Sequence, residues 1–93
     1  MEVLLNISGR VQHVWFRSWA VKTAHEIGKI SGWVRNLEDG AVQIYMKAEE
    51  FAINQMILKC YNGPLLARVD KIDIKTGKFD DLPKIEDGKF FQL

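Results

Sequence analysis

The sequence lacks most of what a large, membrane-bound or disulfide-built protein needs. It holds one cysteine, Cys60, which permits neither an intramolecular disulfide nor a multi-cysteine zinc site and fits a reducing compartment. Net charge is nearly absent. Thirteen basic residues against twelve acidic ones leave a formal charge of +1, so no broad field exists to capture a nucleic-acid backbone or an anionic membrane. Any anion must therefore be held locally. No apolar run approaches the roughly 18 residues of a membrane-crossing helix. The start, Met1-Glu2-Val3, lacks the basic-then-apolar order of a signal peptide, and the expectation is a cytosolic protein. No Gly-Lys-Ser/Thr follows the first loop and that loop has no second glycine, which argues against a P-loop and a dinucleotide-binding turn. Length is short too: 93 residues exclude a two-domain enzyme, since a chain this long hides only roughly 60–65% of its unfolded surface. The 47% apolar content suffices for one compact core, so a single domain over residues 1–93 is expected.

Hydrophobic periodicity supplies the elements. Val3, Leu5 and Ile7 alternate in a first strand, Glu2 to Ser8, which Gly9 is expected to end. Phe16, Ala20, Ala24 and Ile27 recur at helical spacing, and Gly28 caps the run. A strand from Ser31 to Leu37 enters a turn at Glu38-Asp39-Gly40, after which Val42, Ile44 and Met46 alternate with polar neighbours; Asp-Gly between such runs signals a hairpin. Ile53, Met56, Ile57 and Cys60 mark a second amphipathic helix, with Glu49 and Glu50 at its positive end. Asn62-Gly63-Pro64 stops it. Arg68 to Lys75 reads as a fourth strand with Ile72 and Ile74 inward, and the out-of-phase Val69 points to a bulge. Gly77 to Gly88 reads as a polar connection, and Phe90 to Leu93 as a short terminal strand. The order βαββαβ predicts an α+β ferredoxin-like sandwich: a four-stranded antiparallel sheet, two helices on one face, a short C-terminal extra strand and a partly open second face.

The stretch between the first strand and the first helix, Gly9-Arg10-Val11-Gln12-His13-Val14-Trp15-Phe16-Arg17, carries the chemistry. It has a glycine, few side chains that compete for main-chain donors, and an arginine where a helix starts. Unpaired N–H groups of a curved loop and a helix's first turn form an anion-binding concavity, and a guanidinium beside it supplies a planar fork for phosphate oxygens. The bland alternative is a connecting loop with a solvated Arg17, and on spacing alone both stand.

Gly-Arg-Val-Gln-x-Val-x-Phe-Arg at 9–17, Gly-Trp-Val-Arg-Asn at 32–36 and Asp39-Gly40 in the turn closely resemble the acylphosphatase family. The similarity extends to Gly63-Pro64, Ala67-Arg68-Val69 and the Phe91-Gln92-Leu93 ending. The resemblance implies a metal-free, cofactor-free hydrolase that cleaves acyl phosphates to a carboxylate and inorganic phosphate. By matching motif positions, Arg17 would bind the phosphate and Asn36 would position the attacking water, with the main-chain N–H groups of Val11, Gln12, His13, Val14 and Trp15 completing the cradle. A monomer is expected, with no nucleic-acid or membrane partner. Without the family match, Asn36 before a hairpin reads as a turn residue.

His13 departs from the pattern, standing where the family usually has glycine; at a positive φ it is strained, yet a cationic imidazole would attract phosphate. This keeps open an alternative, a weakly active or inactive domain that binds acyl or carbamoyl phosphate. An RNA-binding reading draws little support, because the third strand, Ala41 to Lys47, has one aromatic and no Gly-Phe-rich pattern. Trp15 and Trp19 read as partly buried packing or rim groups, Trp33 as packing at a strand start, His25 as solvated, and Cys60 as an inert thiol on an apolar stripe. The mixed charges of Asp70, Lys71, Asp73 and Lys75 read as an exposed strand.

Overall fold

In the computed structural model, which describes residues 1–93, β1 (Glu2–Arg10) leads into α1 (Phe16–Ile27), β2 (Ser31–Asn36), β3 (Val42–Lys47), α2 (Glu50–Asn62), β4 (Arg68–Thr76) and β5 (Phe90–Gln92). The sheet runs β4-β1-β3-β2-β5. Four strands are mutually antiparallel, and β5 adds to the β2 edge in parallel through Gly32–Phe90, Trp33–Phe91 and Val34–Gln92. This is the expected ferredoxin-like sandwich with its short extra strand.

The alternation in the strands decides where the core sits. Val3, Leu5 and Ile7 of β1, Val34 of β2, and Val42, Ile44 and Met46 of β3 all point to the same face. There they meet Phe16, Ala20 and Ala24 of α1 and Ile53, Met56 and Cys60 of α2. Each large apolar side chain buried this way contributes about 1.5–3 kcal/mol, and the two helices need this face because neither carries a side-chain cap.

Two expectations are corrected. Gly9 does not end β1. It lies inside the strand at φ 128, opposite Val69, at a register shift between Ser8 and Gly9. A Cβ there would stand 2.2 Å from the Arg68 main-chain oxygen, so the bulge foreseen from Val69 exists and only glycine fits beside it. Ile72 is buried, but Ile74 remains 45% exposed, because β4 is an edge strand that its helix covers incompletely. The second face of the sheet is partly open, as expected: Lys71, Asp73 and Lys75 of β4 are exposed and Leu4 and Asn6 of β1 half-buried, while its β2–β3 part is covered. Trp33 is fully buried outside the helix-side core; its indole Nε1 donates to the Pro83 main-chain oxygen at 2.8 Å. Trp33 meets Tyr45 edge-on and Tyr45 meets Phe79 edge-on. The stretch 77–88 thus lies over two large aromatic side chains in phase with each other, supplying both apolar cover and the acceptor that a buried indole requires.

Candidate active site

The bulge at Gly9 turns the end of β1 toward the top of the sheet, and residues 11–15 span the gap to α1. Val11 and Val14 are buried, at 1% and 7% exposure, and pin this loop to the core. Between and after them, His13 at φ 63 and Trp15 at φ 65 take left-handed conformations, while Gln12 and Val14 keep ordinary negative φ. Neighbouring residues of opposite hand turn successive N–H groups toward a common point. None of the N–H groups of Val11, Gln12, His13, Val14 and Trp15 donates to an acceptor within the protein; the first helical bond runs from Trp19 N–H to Trp15 O at 3.0 Å. Five consecutive unpaired donors are rare in a folded chain. Unpaired N–H groups ahead of a helix are of the kind that can receive an anion.

The side chain of Gln12 reaches the β2–β3 turn instead. Its Nε2 donates to the main-chain oxygens of Leu37 at 2.8 Å and Ala41 at 2.9 Å, fastening the loop to the β2–β3 turn. That turn closes on itself through Leu37 N–H to Ala41 O and through Ala41 N–H to Asp39 Oδ1.

The loop, the start of α1, the end of β2 and β5 enclose a cavity of about 470 Å³. It is lined by Val11, His13, Trp15, Phe16, Arg17, Ser18, Asn36 and Gln92. Arg17 is half-buried; its Nη1 donates to the Leu93 main-chain oxygen at 3.3 Å. The ion pairs of the fold, Arg68–Asp70, Lys71–Asp73 and Lys89–Glu86, involve other residues, so the guanidinium keeps its charge for the cavity. Asn36 ends β2 opposite Val42, and its Oδ1 is buried with no hydrogen-bond partner. Leaving such an acceptor unmatched costs about 1–3 kcal/mol, which marks it as waiting for a donor.

Arg17, Asn36, Val11, His13 and Trp15, singled out in the sequence, therefore border one cavity, whereas the side chains of Gln12 and Val14 serve to hold the loop. Ser18 and Gln92 also line the cavity and were not anticipated. Ser18 follows Arg17 in the first helical turn, a position that local reasoning could have reached, but Gln92 arrives through the parallel pairing of β5 with β2, which no local signal encodes. One other residue differs from expectation: His25 is not merely solvated, since its Nε2 lies 3.1 Å from the Phe90 main-chain oxygen. Trp15, 78% exposed, stands at the cavity rim, and Trp19 packs edge-on against Phe16, the two roles expected of them.

The side chains of the lining include one fixed cation and no carboxylate, a balance that favours an anion. No cluster of three His, Cys, Asp or Glu side chains is placed to hold a metal ion. Cys60 lies elsewhere, buried beneath α2, where burial pushes its thiol up to about 12 and leaves it protonated and inert. What the cavity brings together is a guanidinium, the Asn36 carboxamide and the loop residues Val11, His13 and Trp15, whose N–H groups are unpaired, a set of groups suited to a tetrahedral anion.

Known proteins resemble this chain in sequence and fold. A family model described as Acylphosphatase matches residues 3–85. A protein of Roseiflexus sp. called acylphosphatase is 50% identical over 72 residues, covering 77% of this chain and 76% of that one. An acylphosphatase of Rhodospirillum rubrum is 42% identical, covering 87% of this chain and 88% of the relative. Among solved structures, the acylphosphatase from Bacillus subtilis superposes with a TM-score of 0.86 at 26% identity, covering 99% of this chain and 97% of that one.

Proposed function

The chain belongs to the acylphosphatase family and is a hydrolase of acyl phosphates; we propose that the cavity between the 11–15 loop and Asn36 is where it works, with Arg17 and Asn36 as its catalytic residues. The single observation that carries this assignment is that Arg17 of α1 and Asn36 of β2 border one cavity together with the 11–15 loop.

The physics fits the roles. Phosphoryl transfer asks mainly for positioning and for stabilisation of charge on the equatorial oxygens. The N–H groups of Val11 through Trp15 and the Arg17 fork supply the second, and each such donor is worth about 3–4 kcal/mol of transition-state stabilisation in comparable sites. Asn36 Oδ1 accepts a hydrogen bond from the attacking water and holds its lone pair toward phosphorus. The water oxygen bonds to phosphorus as the bond from phosphorus to the bridging oxygen breaks. The electron pair leaves with the carboxylate, a good leaving group, and the water's proton passes to a phosphoryl oxygen. With no carboxylate in the lining, this transfer needs no protein base.

His13 at φ 63 keeps the curve of the loop, so its presence in place of glycine does not argue for an inactive binding domain. The stretch 77–88 over Trp33 and Tyr45 removes the open aromatic face that an RNA-binding reading requires. We read the chain as one domain, working as a cytoplasmic monomer on small acyl phosphates; its +1 charge supports the lack of a nucleic-acid or membrane partner. Release of inorganic phosphate from acetyl phosphate tests the reading, with turnover and competitive inhibition by inorganic phosphate expected. Absence of both on folded protein would refute it.

A further inference from the structure

The phosphoryl end of the cavity accounts for Arg17, Asn36 and the loop N–H groups, but a tetrahedral anion fills only a fraction of about 470 Å³. The remaining lining includes, besides the buried Phe16, the rings of His13 and Trp15. Trp15 is 78% exposed. Unlike Trp19, which packs edge-on against Phe16, and Trp33, which packs edge-on against Tyr45, Trp15 has no aromatic partner. A large indole left in water forgoes burial that the fold could otherwise use. Trp15 is also held there at φ 65, and His13 beside it at φ 63, a main-chain conformation that residues other than glycine rarely adopt and that clusters at functional sites. The strain has a geometric consequence: Val11 and Val14 go into the core, and both rings border the cavity.

We propose that Trp15, with His13 beside it, forms a subsite for the acyl half of the substrate and selects acyl phosphates whose acyl group is flat and aromatic. This rests on the acyl-phosphate reading above and narrows it. The other linings agree. No carboxylate is present to receive a cationic acyl group, and Arg17 is already committed to the phosphoryl oxygens, which leaves no second fixed cation for an acyl group bearing its own carboxylate. An uncharged ring stacking on an exposed indole is what remains.

Calorimetric titration with phenylphosphonate and methylphosphonate reads the subsite without requiring turnover. Wild-type protein is expected to bind the phenyl compound about tenfold more tightly, the gain typical of an aromatic pair. Trp15→Ala brings that ratio close to one, and Trp15→Phe keeps most of it. The ratio of kcat/KM for benzoyl phosphate to that for acetyl phosphate falls in parallel in Trp15→Ala. A disturbed loop would lower both substrates together and leave these ratios unmoved. A wild-type phosphonate ratio near one, or a ratio unchanged in Trp15→Ala, overturns the subsite. Failure of wild-type protein to hydrolyse either acyl phosphate counts against the catalytic reading instead, and the phosphonate ratio still decides the subsite.

Discussion

The side-chain amide of Gln12 lies 2.8 Å from the main-chain oxygen of Leu37, the residue immediately after Asn36. Because the same Nε2 also reaches Ala41 O at 2.9 Å, one amide group joins two walls of the cavity: the loop with the unpaired N–H groups and the turn that follows Asn36. The distance between the loop and Asn36 is thereby set by a pair of hydrogen bonds as well as by the sheet.

Removing that tie should loosen both walls. Gln12→Ala loses two hydrogen bonds of about 1 kcal/mol each, so a stability loss of about 2 kcal/mol in urea denaturation is expected, with a fall in kcat on acetyl phosphate. Gln12→Glu is expected to be worse on both counts. Its carboxylate cannot donate and would face two carbonyl oxygens. Equal stability of the Ala and Glu variants would contradict the donor role.

Strain at His13 predicts an order of stabilities. A left-handed φ costs a residue with a Cβ about 1–2 kcal/mol, while glycine costs about 0.5–1 kcal/mol through the entropy of the unfolded chain. The first effect is the larger, so His13→Gly should raise the thermal midpoint by a few degrees, at about 4–8 °C per kcal/mol for a domain this size. A β-branched side chain at φ 63 is a worse misfit, and His13→Val should lower the midpoint. The sequence Gly above His above Val in thermal denaturation is the expected outcome.

Two buried acids fix the alkaline limit of stability. Burial pushes the Cys60 thiol from 9.0 up to about 12. The Tyr45 phenol is pushed from 10.0 up to about 12, first by burial, then by its hydrogen bond to Glu2 and the charges of Glu2 and Asp80. In each case the folded state retains a proton that the unfolded chain releases at its ordinary pKa. Stability from these groups is therefore fully present below about pH 9 and lost as pH climbs toward 12, at up to about 1.4 kcal/mol per pH unit for each group. Urea midpoints measured from pH 8 to 11.5 should be flat and then decline. Cys60→Ala, less stable at neutral pH through the space it leaves, should show a shallower decline.

Most of the fold was legible because it rests on periodicity. Val3-Leu5-Ile7, Val42-Ile44-Met46 and the α1 and α2 stripes each announce one buried face. The cover of the second face was not legible. Over β2 and β3, Trp33 and Tyr45 are covered by a stretch that meets them through Phe79 and the Pro83 carbonyl, and a main-chain acceptor leaves no trace in sequence. At the site, Arg17 and the loop were visible as residue types at a helix start, and Asn36 through the family motif alone. Their meeting in one cavity, and the arrival of Gln92, depend on pairings between strands far apart in the chain. Gly9 misled because a glycine after an alternating run signals a turn, whereas here it admits the Arg68 oxygen beside a bulge.

The division of labour between Arg17 and Asn36 is tested most directly by kcat on acetyl phosphate and the inhibition constant of inorganic phosphate, measured side by side for Arg17→Ala and Asn36→Ala. Arg17→Ala should lose both phosphate affinity and turnover. Asn36→Ala should keep phosphate affinity within a few-fold while kcat drops about 10²–10³-fold, and should be no less stable than the parent, since it removes an unmatched buried oxygen. Near-parental turnover in folded Asn36→Ala, or phosphate inhibition and turnover retained in Arg17→Ala, would contradict the assignment.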